Sequence, residues 1–205
     1  GLRHRRKIKE APDIYSMLRT KAAIKKSDVC LFLIDAFDGV RKDDLQILDL
    51  IRKEGKGCIL CINKWDLIKN FPQEEYRGIL YKRSQFFSDM PIRFTSARTG
   101  KNVHGTLDAV LEVIKNINLR IPTPRLNVFL NTIKKNRALS TPSGRFKMRY
   151  MVQVGIKPPT FLIFCNNPDL ISSSTKNYIE NALRDAFEFS GTSLRIHFRT
   201  SNYPQ

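Results

Sequence analysis

Short apolar runs alternate with amphipathic stretches over the first 118 residues, a pattern that predicts a parallel sheet covered by helices. The strand candidates are residues 29–35, 58–62 and 92–95. Between and around them, residues 11–26, 43–54, 74–87 and 103–117 carry helical spacing, with Leu107, Val110, Leu111 and Ile114 along one face of the last. The first two strands show no polar alternation, so both are expected to be central and covered on both faces. Ligands in open α/β sheets bind beyond the C-terminal ends of the strands, which directs attention to residues 35–39, 63–66 and 96–100.

The pattern changes at Ile121-Pro122-Thr123-Pro124, where prolines stop one helix and Thr123-Pro124 supplies an N-cap and first turn for the next. Leu126, Phe129, Leu130 and Ile133 then form an apolar stripe. After it, Phe146, Met148, Tyr150, Val152, Val154 and Ile156 alternate with Arg145, Lys147, Arg149, Met151, Gln153 and Lys157. That alternation predicts a strand whose first set faces the core. Pro158-Pro159 turns it into a second strand over residues 160–165; a helix over about 174–189 and an alternating strand over 194–199 follow. The expectation is an α/β domain over residues 1–118 and a small α+β domain over 119–205, with the helices of the second on one face of its sheet.

Charge sharpens this division. The net charge is +17, and residues 119–205 hold 13 Lys/Arg against 4 Asp/Glu, so the smaller segment is the more basic per residue. A surplus of that size favours a polyanion through phosphate contacts and counterion release, with nucleic acid ahead of an anionic membrane surface. No apolar run approaches the roughly 18 residues of a membrane-spanning helix, and no signal-peptide pattern is present, so a cytoplasmic protein is expected. Cys58 and Cys61 have a metal-like spacing. Residues three apart in a strand point to opposite faces, however, so no metal site is assigned and the cysteines are read as small buried hydrophobes.

The chemistry-bearing motif is Asn63-Lys64-Trp65-Asp66, directly after a buried strand. One ionised carboxylate can accept both donors on one edge of guanine, the ring N–H and the exocyclic amine, a pair that adenine lacks. Asp66 takes that role. Lys64 can lay its methylene stem over the ring, Asn63 can tie loops together through its amide, and Trp65 either covers the base or packs. After the third strand comes Ser96-Ala97-Arg98-Thr99-Gly100, whose small residues allow a backbone N–H to approach the guanine carbonyl, with Gly100 suited to a left-handed turn.

These two motifs resemble the fourth and fifth guanine-nucleotide motifs of the translation-factor-related GTPases. Together with residues 15–20, Gln153-Val154-Gly155-Ile156-Lys157-Pro158-Pro159-Thr160-Phe161 and residues 194–199, they resemble the Der (EngA) family of bacterial ribosome-assembly GTPases, which carry two GTPase domains and a C-terminal KH-like domain. The resemblance implies a partial P-loop-type GTPase domain followed by a KH-like domain, with GTP or GDP as ligand. It implies the large ribosomal subunit and ribosomal RNA as partners, along with the family's first GTPase domain in the same protein. It also exposes a departure: the chain has no Gly-x-x-x-x-Gly-Lys-Ser/Thr loop to cradle phosphates and hold Mg²⁺. Gly1 corresponds to the last glycine of the family's Asp-x-x-Gly switch, so the chain is expected to be a fragment. Mg²⁺ is expected only in the full-length protein, no catalytic residue is assigned, and the segment alone is expected to be inactive.

In the second segment Arg145, Lys147 and Arg149 are expected on one strand face and Arg195, His197 and Arg199 on one face of the last strand, converging as a platform for RNA phosphates. The alternative is an ordinary solvated face or one packed against the GTPase domain. No Gly-x-x-Gly loop occurs in residues 119–205, so the usual KH contact cannot be carried over. The rival to an assembly GTPase is a non-enzymatic RNA- or ribosome-binding module that no longer depends on nucleotide.

Overall fold

The computed structural model describes residues 11–134 and 146–201. Two compact units divide after Ile114. In the first, helix α1 (Ala11–Lys26) leads into strand β1 (Val29–Asp35), followed by α2 (Lys42–Lys53), β2 (Gly57–Asn63), α3 (Gln73–Arg83), β3 (Ile92–Phe94) and α4 (Val103–Ile117). The sheet is parallel with order β1-β2-β3, in register from Val29 opposite Gly57 to Asp35 opposite Asn63. The apolar sequence of β2 suits its central place, where Ile59, Leu60 and Ile62 are fully buried. Around it Phe32, Ile34, Leu48, Ile51, Leu80 and Phe94 form one apolar core.

Strand β1 departs from the expectation of a central position. Among the described residues it is an edge strand, and Leu31 and Leu33 are exposed while Phe32 and Ile34 are buried. An apolar run records that a strand has no polar face and does not record whether both faces are covered. Helix α4 shows the same divergence: Leu107 and Leu111 are exposed, and Ala109 and Val113 carry the burial.

The second unit contains α5 (Thr123–Lys134), β4 (Met148–Gly155), β5 (Thr160–Cys165), α6 (Ser173–Ala186) and β6 (Arg195–Thr200). Its sheet has order β4-β5-β6, antiparallel and then parallel. Leu126, Leu130 and Ile133 of α5 and Ile179 and Leu183 of α6 pack on Met151, Phe161 and Ile163, so both helices cover the same sheet face. Asn127 locks α5 to the edge strand by accepting from Met151 N–H at 3.0 Å and donating to Met151 C=O at 3.0 Å, as a neighbouring strand would.

Strand β4 corrects the predicted facing. Register slips between Met148 and Tyr150, so that Arg149 and Tyr150 together oppose Phe164. Such a bulge adds one residue and inverts the side chains after it, here as far as a second register shift between Gln153 and Gly155. Met148 therefore faces the core as expected, but so do Met151 and Gln153, while Tyr150 and Val154 are exposed. Gln153 is buried because its amide is satisfied: it accepts from Ile121 N–H at 2.8 Å and donates to Leu119 C=O at 2.8 Å.

Candidate functional site

The C-terminal ends of the three parallel strands are bound into one unit by Asn63. Its carbonyl accepts from Ala36 N–H at 2.9 Å, at the end of β1, and its side-chain Oδ1 accepts from Ala97 N–H at 3.0 Å, beyond β3. Trp65 N–H donates to Thr95 C=O at 3.0 Å, closing the β2 and β3 loops on each other. A single amide thus holds both loops that the sequence marks for base recognition.

Lys64 adopts a left-handed conformation with φ of 61°, a cost for a residue with a Cβ. The turn it makes starts a 3-10 segment, Trp65–Leu67, and leaves Lys64 exposed and Asp66 half-buried while Trp65 goes inward. Trp65 is buried, with edge contacts to Phe94 at 4.5 Å and Tyr76 at 5.4 Å. Of its two roles, packing is the one this geometry fits. Tyr76 extends the anchorage by donating its hydroxyl to Ala36 C=O at 3.0 Å.

Asp35 is a site residue that the motifs did not single out. Its carboxylate meets Lys64 Nζ at 2.6 Å and accepts from Phe37 N–H at 2.9 Å. The Lys64 hydrogen bond, helped by Phe37 N–H, holds this carboxyl below the usual carboxylate range, and the same bond raises Lys64. The signal in the sequence was an Asp ending an apolar strand at the ligand-bearing end of the sheet.

The Asp66 carboxyl is also held low, first by the Ser96 hydroxyl, with Arg98 contributing through a 2.9 Å ion pair. It is therefore an ionised acceptor at neutral pH. Ser96 is fully buried and pairs its N–H with Lys101 C=O at 3.1 Å, while its hydroxyl accepts from Thr99 N–H at 3.2 Å. Gly100 closes this turn at φ of 76°, the left-handed region expected of it. This end of the sheet thus brings together an anionic acceptor, a lysine stem and a turn of small residues. Among the described residues no group of three or more His, Cys, Asp or Glu could hold a metal ion.

Gly1 and Arg145 lie outside the described residues. Lys147 and Arg149 are exposed, Lys147 before β4 and Arg149 in its bulge; Arg195, His197 and Arg199 are exposed and alternate along β6. Because β5 lies between β4 and β6, the two basic groups stand roughly 10 Å apart on opposite edges of one sheet. Cys58 and Cys61 are buried free thiols within β2, both pushed up by burial.

Residues 15–116 match the family model described as the elongation factor Tu GTP binding domain, and residues 120–199 match the KH-domain-like C-terminal region of EngA bacterial GTPase enzymes. GTPase Der of Chlorobium phaeobacteroides is 38% identical over 202 residues, and that of Halothermothrix orenii is 39% identical over 202 residues. Each alignment covers 97% of this chain and 46% of the relative, so the chain spans about half the length of these proteins. A crystal structure of Aquifex aeolicus Era bound to GDP and aluminium fluoride overlaps 98% of this chain and 74% of its own, at 18% identity and a TM-score of 0.46. With both units matched in order and identity near 38% along almost all of its length, the chain belongs to the Der (EngA) family of GTPases.

Proposed function

We propose that this chain carries the guanine-reading half of a GTP site, joined to an RNA-interaction domain, in a GTPase that acts in large ribosomal subunit assembly. The observation that carries the reading is the Asn63 tie between the β2 and β3 loops, which places ionised Asp66 beside the Ser96–Ala97 turn. Asp66 accepts the guanine ring N–H and exocyclic amine. Lys64, steadied by Asp35, lays its stem along the ring, and Trp65 fixes the loop from beneath. Arg98 is exposed and yields its place at Asp66 to the base. Phosphate and Mg²⁺ chemistry requires a cradle that these residues do not form; Gly1 is assigned to the switch of the full-length protein by its motif position.

The second unit is assigned to ribosomal RNA through its basic residues, Lys147, Arg149, Arg195, His197 and Arg199, with Arg145 included from sequence. The reading of the chain as a module independent of nucleotide makes Asp66 a mere loop residue. In the full-length protein, calorimetric titration with GDP separates the two. Asp66→Asn is expected to weaken one guanine site by about 5- to 150-fold, corresponding to about 1–3 kcal/mol for an unmet buried hydrogen-bonding group. Unchanged GDP affinity at every site would favour the nucleotide-independent module.

A further inference from the structure

The open face of the second sheet carries apolar and cationic side chains in register. Tyr150 lies opposite Phe164, which lies beside Arg199; Val152 lies opposite Leu162, which lies beside His197; Thr160 lies beside Arg195. The Tyr150 and Phe164 rings stand 6.1 Å apart, tilted by 43°, and Tyr150 is 44% exposed. Strands β4, β5 and β6 contain no Asp or Glu. The helices cover the other face, and among the described residues the core cluster of this unit includes neither of these two rings.

We propose that this face is a stacking platform for single-stranded RNA, with unpaired bases on Tyr150 and Phe164 and their phosphates along Arg195, His197 and Arg199. The proposal rests on the reading of this unit as an RNA-interaction domain and narrows it to unpaired strands on one face. Three physical points favour that occupant. A flat aromatic and aliphatic strip with a cationic margin matches a planar base attached to an anionic backbone. A double helix keeps its bases stacked inside and presents phosphates and hydroxyls, for which exposed Tyr150 and Val154 offer nothing. An apolar protein surface laid over the strip would bring Arg199 out of water without supplying it a counter-charge.

The bulge at Arg149 makes the platform. Without it, Tyr150 and Val152 would turn to the helix side, and Met151 and Gln153 would come outward. The residues from 119 onward contain no Gly-x-x-Gly loop, so a route through the sheet face also supplies a grip that such a loop would otherwise provide.

The test is fluorescence anisotropy of the full-length protein with a labelled single-stranded RNA of mixed sequence and with a blunt RNA duplex of the same length. The single strand is expected to bind more tightly. Tyr150→Ala should weaken it by about 5- to 150-fold, the loss of one base stack, and leave the duplex unchanged. Tyr150→Phe should retain affinity, and an unaltered thermal transition will show that the exposed substitution leaves the fold intact. Arg199→Gln should weaken binding and reduce the salt slope by about 0.7. Equal affinity for duplex and single strand, or a Tyr150→Ala protein that binds like wild type while Arg199→Gln is impaired, would overturn the platform and leave the charge-based RNA reading standing. If neither RNA binds, both readings fall.

Discussion

At the scale of single residues, Asn63 and the Asp35–Lys64 pair make the candidate site more than a loop motif. Asn63→Ala removes the acceptor of Ala97 N–H and is expected to destabilise the first unit by about 1 kcal/mol, read as a lower denaturation midpoint, with weaker guanine-nucleotide binding in the full-length protein. The Asp35–Lys64 pair has a defined pH window. Asp35 is lowered on folding, so its contribution is complete above its unfolded value of about 3.9 and is lost as pH falls through the lower folded value. Lys64 is raised, so its contribution is complete below about 10.4 and is lost as pH rises through the higher folded value. The difference in thermal midpoint between wild type and Lys64→Gln is therefore expected to be constant between those limits and to shrink beyond each. A difference that persists at both extremes would remove the ion pair from the explanation. The position of Asn63 to Asp66 was legible because the loop follows a buried strand, at the end where a parallel sheet presents its loops. Residues 35–39 were marked by their place at a strand end, but the pairing of Asp35 with Lys64 was not legible, since it depends on the left-handed turn at Lys64, which sets where the lysine can reach.

At the scale of elements, the strands and helices of the first unit follow from apolar spacing, because a buried parallel strand such as β2 admits little else. What spacing could not convey is neighbourhood. β1 has the composition of a covered strand, yet Leu31 and Leu33 are exposed, since coverage is a property of what packs on a strand. β4 failed for a different reason: a bulge adds one residue and leaves no trace in composition, so alternation was read through Arg149 without the inversion it causes. Gln153 lies on the buried side as a result and ties Leu119 and Ile121, the segment leading into α5, to the sheet. Gln153→Leu keeps the volume but leaves Ile121 N–H and Leu119 C=O unmatched, and is expected to cost the second unit about 2–4 kcal/mol by chemical denaturation. A loss under about 0.5 kcal/mol would show that water or backbone movement replaces this clamp.

At the scale of the whole molecule, the chain carries a net charge of +17 and spans about half the length of its relatives, and the proposed function divides it into one unit for a base and one for a polyanion. Charge was legible from composition, whereas its arrangement on two edges of one sheet, with aromatic side chains between, required the register of β4, β5 and β6. Association of the full-length protein with ribosomal RNA is expected to weaken with salt, and replacing Arg149, Arg195 and Arg199 together by Gln should flatten the log–log slope by about 2. An unchanged slope would move the RNA contact away from this sheet. The central claim, that the Asn63-to-Asp66 loop reads guanine, is tested most directly by exchanging the base. Asn in place of Asp66 offers one acceptor and one donor, matching the ring N–H and the C2 oxygen of xanthine and mismatching the two donors of guanine. Binding of GTP and of xanthosine triphosphate to full-length Asp66→Asn protein is therefore expected to show one site whose preference has reversed. Retained GTP preference at every site, with no gain for xanthosine triphosphate, would contradict the assignment of this loop to the base.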